Sequence, residues 1–190
     1  MKLKSIKKVH EGKFISRYDI SYETNSGNEK VYEMISRDNG IDCEERLQSK
    51  DAEAVVLIMH SVDGEKILLN REFRLATGQW VYNFPAGLID EGEDAVQSAR
   101  RELKEETGLE IVEIKDTIGV SYSAVGFSNE KNVCVVGTAD GKFSESTSEV
   151  EEIEPAWYTK QEVEKLLKEN ILIKVNMHCY LMMIVFTFIN

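Results

Sequence analysis

The segment from residue 92 to residue 107 constrains the fold of this chain most, because its apolar residues follow a clear helical pattern. Val96, Ala99 and Leu103 recur at helical spacing and predict one apolar face. Gly108 follows, in the position where many helices end. A helix with one apolar face must pack that face against another element, and strand-like runs on both sides of it supply a sheet.

These strand-like runs predict an α/β (α+β) fold with a mixed sheet. Residues 13–23 and 30–36 predict an antiparallel hairpin at the front of the chain, and the polar stretch 38–52 reads as a connector. Residues 53–60 and 66–70 predict a second hairpin around Asp63-Gly64. The remaining predicted elements are strands at 111–122, 132–138 and 150–158 and a helix at 160–169.

The charge balance excludes some classes of partner. The chain has 34 Asp+Glu against 23 Lys+Arg, a formal net charge of −11. Broad binding of nucleic acid or of an anionic membrane needs a basic surface, so we expect neither partner. A small phosphate ligand stays compatible with this charge, because a divalent metal or a few local arginines can hold it.

Cysteine use and the apolar C-terminus bear on location. The three cysteines are unclustered, which favours a reducing cytosol, so we expect a cytoplasmic protein. Residues 179–189 are apolar. As a helix they span roughly 16 Å, well short of a hydrocarbon core of about 30 Å. We therefore interpret this run as a buried terminal helix rather than a membrane anchor.

Three glutamates on the central helix introduce candidate chemistry. Glu102, Glu105 and Glu106 are separated by three and four residues, so their carboxylates share one patch of helix surface. Like charges repel at this spacing, and Arg101 offsets only part of the repulsion. Hard oxygen ligands are what Mg²⁺ and Mn²⁺ prefer. The glutamates alone leave two interpretations open, a metal site and a solvated acidic helix face.

A longer spacing pattern surrounds these glutamates. Residues 87–109 read GLIDEGEDAVQSARRELKEETGL. Five residues separate Gly87 from Glu93, and seven more precede Arg101-Glu102-Leu103. This segment resembles the signature of the Nudix hydrolases, GX5EX7REUXEEXGU with U apolar, at every specified position. We refer to residues 87–109 as the Nudix box.

The resemblance implies a fold and a metal site. It implies a Nudix-type α/β/α sandwich with a mixed sheet at residues 49–190, preceded by the N-terminal antiparallel hairpin and connector at residues 1–48. It also implies Mg²⁺ or Mn²⁺ as cofactor and a metal-dependent catalytic role for Glu106. The implied ligands are Glu102 and Glu106, with Glu105 and the backbone carbonyl of Ala86 as further ligands.

Residues outside the box resemble the ADP-ribose pyrophosphatase branch of this family. They are residues 71–74 (REFR) and 84–90 (FPAGLID). The branch implies that Arg74 reaches the substrate phosphates. It also implies a homodimer in which the leading hairpin is exchanged between subunits and brings Glu33 to the partner's nucleotide site.

Two departures from the branch concern the substrate. Ala124 and Val125 stand where the branch usually carries a proline, and Asn83 stands where many members have glutamate. Both bear on ADP-ribose as the substrate, while diphosphate cleavage itself depends on the Nudix box.

A catalytic base must take a proton from the attacking water. The acidic segment 144–154 resembles the loop that often supplies this base in the family. Glu149 and Glu151 are its candidates, and Glu149 is preferred because it stands where the resembling loops begin their acidic run. A solvated acidic loop is the alternative interpretation of the same residues.

We therefore expect a metal-dependent enzyme that cleaves the diphosphate of a nucleoside diphosphate linked to another moiety. ADP-ribose or a related nucleotide sugar is the preferred substrate, giving AMP and ribose 5-phosphate from ADP-ribose. The alternatives are a Nudix hydrolase for a dinucleoside polyphosphate or a coenzyme, and a Nudix module that senses a nucleotide without cleaving it.

Overall fold

The computed structural model describes residues 1–49, 51–147 and 151–169. The chain forms two compact units. The first consists of Met1–Glu53 and Val120–Asn132, and the second of Ala54–Gly119 and Val133–Asn190. The first unit extends to Glu53 and also takes in the segment Val120–Asn132. The functional division that the sequence analysis places after residue 48 stays a prediction.

The first unit is built on a three-stranded antiparallel sheet in the order β1-β2-β3. Its strands are β1 (Lys2–Glu11), β2 (Ser16–Glu23) and β3 (Glu29–Ser36), and a short helix, α1 (Glu44–Leu47), lies in the predicted connector. The predicted hairpin, formed by β2 and β3, is confirmed. β1 was not predicted, because its lysines hide the alternation that normally indicates a strand.

Tyr18 and Met34 anchor the core of this first unit. Both are buried, and the Tyr18 hydroxyl donates to the carbonyl of Asp38 at 2.7 Å. The later segment joins β3 through the Ile35 amide, which donates to the Phe127 carbonyl at 2.9 Å. An ion pair between Arg37 and Glu130, also 2.9 Å, adds a second link within the unit.

A seven-stranded sheet forms the basis of the second unit. Its strand order is β10-β5-β4-β9-β8, with β6 paired to β5 and β7 paired to β4. The strands are β4 (Ala54–Ser61), β5 (Lys66–Arg74), β6 (Gln79–Asn83), β7 (Ala86–Leu88), β8 (Glu110–Tyr122), β9 (Lys131–Asp140) and β10 (Ile153–Thr159). The helices are α2 (Ala95–Thr107) and α3 (Lys160–Lys168).

Alternate residues of β5 show how helices cover both faces of this sheet. Ile67 and Leu69 pack in one cluster with Val163 of α3. Asn70, one residue further, bonds to Glu106 of α2. Because successive strand residues point to opposite faces, α2 and α3 lie on opposite sides of the sheet. The predicted α/β/α sandwich is therefore confirmed.

Local capping sets the ends of both helices. The Asp94 carboxylate accepts from the amides of Val96 and Gln97 at 2.8 Å, which starts α2 at Ala95 rather than at the predicted residue 92. Gly108 ends the helix with φ of 79°, a left-handed conformation that favours glycine. A capping box of Thr159 with Glu162 starts α3, the helix predicted at 160–169.

The predicted C-terminal helix at 179–189 lies outside the described residues. Among the residues that are described, no helix has the length and apolar character needed to cross a membrane.

Candidate active site

Arg101 ties the loop before α2 to the helix. Its Nη2 donates to Glu93 Oε2 and to the carbonyl of Leu88, both at 2.9 Å, while Nη1 donates to Glu102 Oε1 at 2.6 Å. The Arg101 guanidinium and the Ser98 hydroxyl lower the pKa of Glu93 to about 2. Arg101 and Glu93 therefore hold the loop before α2 against the helix. They are not themselves candidates for cation ligands.

Gly87 makes room for the carboxylate of Glu102. A Cβ atom built on Gly87 would lie 1.9 Å from the carboxyl carbon of Glu102, far inside any possible contact. The glycine therefore lets this carboxylate lie against the backbone of β7, beside Ala86. Burial raises the pKa of Glu102, and Arg101 opposes part of that rise.

Glu106 is a buried carboxylate at the centre of the site. It is 7% exposed, and its Oε2 accepts a hydrogen bond from Asn70 Nδ2 at 2.8 Å. Burial raises the pKa of Glu106 well above its usual value, and the charges of Glu102 and Glu72 raise it further. The Asn70 Oδ1 atom is also buried and has no hydrogen-bond partner within the described part of the chain.

These carboxylates open onto a cavity of about 380 Å³. Its lining residues are Glu102, Glu105, Glu106, Ser146, Thr147 and Glu151. The predicted acidic loop therefore reaches the box carboxylates at Glu151, whose charge also raises the pKa of Glu102 and of Glu106. The other candidate base, Glu149, lies outside the described residues.

The site fits a hard divalent cation on its own donor set. The partly buried carboxylate of Glu102 and the buried carboxylate of Glu106 repel each other, and a bound cation would offset both the repulsion and the cost of burial. Because Gly87 has no Cβ atom, the carboxylate of Glu102 fits into the space beside it. Within the described ranges, no three His, Cys, Asp or Glu side chains already stand in metal-ligand geometry.

Arg74 ends β5 on the same face as Asn70 and Glu72, which is the face turned toward α2. Its side chain is half exposed, and Nη1 lies 3.4 Å from Glu72 Oε2. Glu33 lies in the first unit, where its exposed side chain is 3.5 Å from Arg17 Nη2. The structure thus brings the box carboxylates and Glu151 to one cavity and leaves the role of Glu33 a prediction.

The sequence analysis missed a buried polar network behind the box. Asn83 Nδ2 donates to Glu72 Oε1 at 3.0 Å. This is the same kind of hydrogen bond as the one from Asn70 Nδ2 to Glu106 Oε2. The available signal was the polar run Asn70, Arg71 and Glu72, which follows the apolar residues 67–69 of the same strand. Such a run normally indicates a solvent-exposed part of a strand, and only the position of α2 shows that the face with Asn70 and Glu72 is covered.

Comparison with known proteins agrees with the site. The family model described as NUDIX domain matches residues 50–177. An ADP-ribose pyrophosphatase of Saccharomyces cerevisiae is 32% identical over 135 residues, covering 69% of this chain and 54% of that protein. The ADP compounds hydrolase NudE of Escherichia coli is 27% identical over 131 residues, covering 69% of this chain and 63% of that protein. The chain thus spans between half and two thirds of the length of these relatives.

A solved structure is similar in fold over nearly the whole chain. The crystal structure of an ADP compounds hydrolase superposes with a TM-score of 0.69 at 21% identity, covering 90% of this chain and 85% of that one. The family model spans more than half of the residues, including the complete Nudix box. The chain therefore belongs to the Nudix family, and among its members it resembles the ADP-ribose pyrophosphatase and the ADP compounds hydrolase named above.

Proposed function

We propose that this chain hydrolyses the diphosphate of an ADP-linked metabolite, with ADP-ribose or a related nucleotide sugar as substrate and Mg²⁺ or Mn²⁺ as cofactor. The observation that carries the proposal is the cavity at which Glu102, Glu105, Glu106 and Glu151 meet. Four acidic residues around one cavity repel the negative charges of a diphosphate. The cavity can therefore accept a diphosphate only when bound cations offset these charges. This is a chemistry in which charge neutralisation is the main requirement.

The residues divide the work as follows. Glu102, Glu105 and Glu106, with the Ala86 carbonyl, would hold the divalent metal, which when bound neutralises the diphosphate and polarises phosphorus. Arg74 binds phosphate oxygens through its planar guanidinium. Water attacks phosphorus, and with ADP-ribose the bond cleaved leaves AMP and ribose 5-phosphate.

Glu151 is our preferred general base, with Glu149 the other candidate from the same loop. Glu151 lines the cavity from a segment opposite the helix glutamates, and its carboxylate has no assigned metal role. A carboxylate in this position can accept the proton that the attacking water loses. The box carboxylates are poorer bases, because coordination to a cation occupies their lone pairs.

The names of two relatives support the ADP moiety. Both the yeast and the Escherichia coli protein bear names that specify an ADP compound. A dinucleoside polyphosphate or a coenzyme is the alternative substrate, since Ala124, Val125 and Asn83 depart from the branch pattern. A purely sensing module is disfavoured, because every carboxylate of the box is present.

We further propose a cytoplasmic homodimer in which Glu33 of the hairpin contacts the nucleotide in the partner's site. Exposed apolar side chains in the first unit support a second copy as partner. They include Val31, Tyr32, Val125 and Phe127, which are 51%, 40%, 76% and 57% exposed. Nucleic acid and membranes are not proposed as partners, given the net charge of −11.

A product screen tests the activity. Purified protein is incubated with ADP-ribose, other ADP-sugars, dinucleoside polyphosphates and coenzymes in the presence of Mg²⁺, and AMP is quantified. We expect AMP from ADP-ribose or an ADP-sugar, complete loss of turnover in EDTA, and recovery on adding Mg²⁺ or Mn²⁺. Glu110→Gln serves as a matched control for changes in the box, because Glu110 lies just beyond α2 and its side chain is 77% exposed. Full turnover in metal-free buffer would contradict the proposal.

A further inference from the structure

Strand β5 carries three polar residues on the face that is turned toward α2. Asn70, Glu72 and Arg74 alternate with Leu69, Arg71 and Phe73 along the strand. Asn70 is 1% exposed and Glu72 is 7% exposed. Burying a carboxylate is costly unless it is paired and hydrogen-bonded, so the contacts of Glu72 indicate what it does.

Both oxygens of Glu72 are engaged. Oε1 accepts a hydrogen bond from Asn83 Nδ2 at 3.0 Å, and Oε2 accepts one from Arg74 Nη1 at 3.4 Å. Asn83 is 4% exposed at the end of β6 and is fixed by the pairing of Asn70 with Asn83 along the two strands. The carboxylate is therefore held from the interior, and its second oxygen faces the half-exposed guanidinium.

This arrangement lies next to the Nudix box. Asn70, two residues earlier on the same face of β5, donates to Glu106 at 2.8 Å. Arg74 therefore follows Asn70 and Glu72 on the face of β5 that is turned toward α2, although it is not one of the residues that line the carboxylate cavity. The pair with Glu72 uses Nη1 alone, and a guanidinium has five N–H donors, so several remain for the two oxygens of a phosphate.

We infer that Glu72, held by Asn83, is a positioning residue that orients the Arg74 guanidinium for the substrate diphosphate. The inference rests on the proposed function, since it assumes a diphosphate beside the box. A flexible arginine side chain loses rotamer entropy when it is ordered. A buried carboxylate that restricts the side chain beforehand reduces that loss on binding, so its effect falls on substrate affinity.

The test is a double-mutant cycle in steady-state kinetics with ADP-ribose and saturating Mg²⁺. Glu72→Gln keeps the shape of the side chain, removes its charge and replaces one of its two acceptor oxygens by an NH2 donor. We expect KM to rise about tenfold, as for loss of a charge-assisted hydrogen bond, with kcat changed much less. Arg74→Gln should raise KM at least as much, and the double variant should be no worse than Arg74→Gln alone.

Glu154→Gln is the matched control. Glu154 of β10 pairs with Arg71 of β5 at 2.6 Å, so this change also removes an Arg–Glu pair that involves β5, but on the opposite face of the sheet. Its KM should match that of the wild type. Asn83→Ala provides a second route, because it leaves the Glu72 charge in place but removes the group that holds it. A smaller rise in KM is expected from Asn83→Ala.

Several results would overturn the inference. Multiplicative effects of Glu72→Gln and Arg74→Gln on KM would show that the two residues act independently. A higher Mg²⁺ requirement with unchanged KM would make Glu72 a metal ligand instead. Lower thermal stability with unchanged kinetics in both Glu72→Gln and Asn83→Ala would make the network purely structural.

Calorimetric binding of the α,β-methylene analogue of ADP-ribose separates this inference from the proposed activity. Weaker binding by Glu72→Gln, in step with its higher KM, is the expected result. A wild-type protein that cleaves ADP-ribose, with unchanged analogue affinity in Glu72→Gln, overturns the positioning role alone. A wild-type protein that neither cleaves ADP-ribose nor binds the analogue overturns both proposals.

Discussion

At the scale of single residues, the site depends on carboxylates that are unfavourable without a cation. Glu106 is buried, lies near the charge of Glu102 and accepts one hydrogen bond from Asn70. The free-energy cost of burying this carboxylate can be measured as a loss of folding stability. Its benefit can be measured separately as catalytic turnover. The pH dependence of stability connects the two.

Glu106 should make the metal-free protein less stable as pH rises. Its pKa is higher in the folded state than the unfolded value of 4.5, so its contribution is fully present below that value. The contribution is lost as pH rises through the folded pKa. Glu102 acts with the same sign, whereas Glu93, with its pKa lowered to about 2, stabilises the fold above its unfolded value and acts oppositely.

Glu106→Gln should therefore flatten the loss of melting temperature with rising pH when metal is removed by EDTA. Near neutral pH its melting temperature should exceed that of the wild type, by about 2–4 °C for each kcal/mol gained. Loss of a residue that only supports a metal ligand lowers metal affinity or activity by about 10–100-fold. Loss of a ligand itself should therefore lower kcat/KM by more than this. Differential scanning calorimetry and turnover assays give the two readouts. A variant with wild-type turnover at limiting Mg²⁺ would exclude Glu106 as a ligand.

At the scale of elements, the sequence determines the parts of the site that are local. The positions of Glu102, Glu105 and Glu106 follow from helical spacing, and the end of α2 follows from Gly108. The network of Asn70, Glu72 and Asn83 could not be predicted in this way. It depends on the register between β5 and β6 and on the crossing of α2 over them, which no short segment encodes.

Short strands escaped the sequence analysis for a related reason. β6 and β7 have five and three residues, and each exists because a neighbouring strand accepts its hydrogen bonds. β7 is nevertheless central to the site, since it brings Ala86 and Gly87 against Glu102. Motif spacing predicted these residues, whereas strand periodicity did not.

The acidic loop before β10 provides the prediction at this scale. If Glu151 is the general base, Glu151→Gln should lower kcat by roughly 10²–10⁴-fold with KM much less affected. Glu152→Gln is the adjacent control, since Glu152 does not line the cavity. Single-turnover kinetics at saturating Mg²⁺ measure the chemical step directly. Near-normal rates in both Glu151→Gln and Glu149→Gln would remove the loop from the mechanism and leave a box carboxylate such as Glu105 as the better candidate.

At the scale of the whole molecule, the first unit limits how its function can be tested. Ile35 and Arg37 of the N-terminal part bond to Phe127 and Glu130 of the later segment. Deleting the N-terminal residues would therefore strip partners from residues 120–132, and a loss of activity would have two explanations. Single substitutions on the exposed face of β3 avoid this problem.

Subunit complementation tests whether the hairpin acts in the partner's site. We expect light scattering to show a dimer and Glu33→Ala to raise KM without lowering the melting temperature, since Glu33 is exposed.

Glu106→Gln, which has an intact hairpin, is then unfolded and refolded together with Glu33→Ala, which has an intact box. If hairpins are exchanged, each mixed dimer contains one site with both the Glu33 and the Glu106 of the wild type. The refolded mixture should therefore show turnover at low substrate concentrations above the sum of the two variants refolded alone, because subunit mixing creates wild-type sites that neither parent contains. Additive activity, or a monomer that matches wild-type turnover, would place any role of Glu33 within its own subunit.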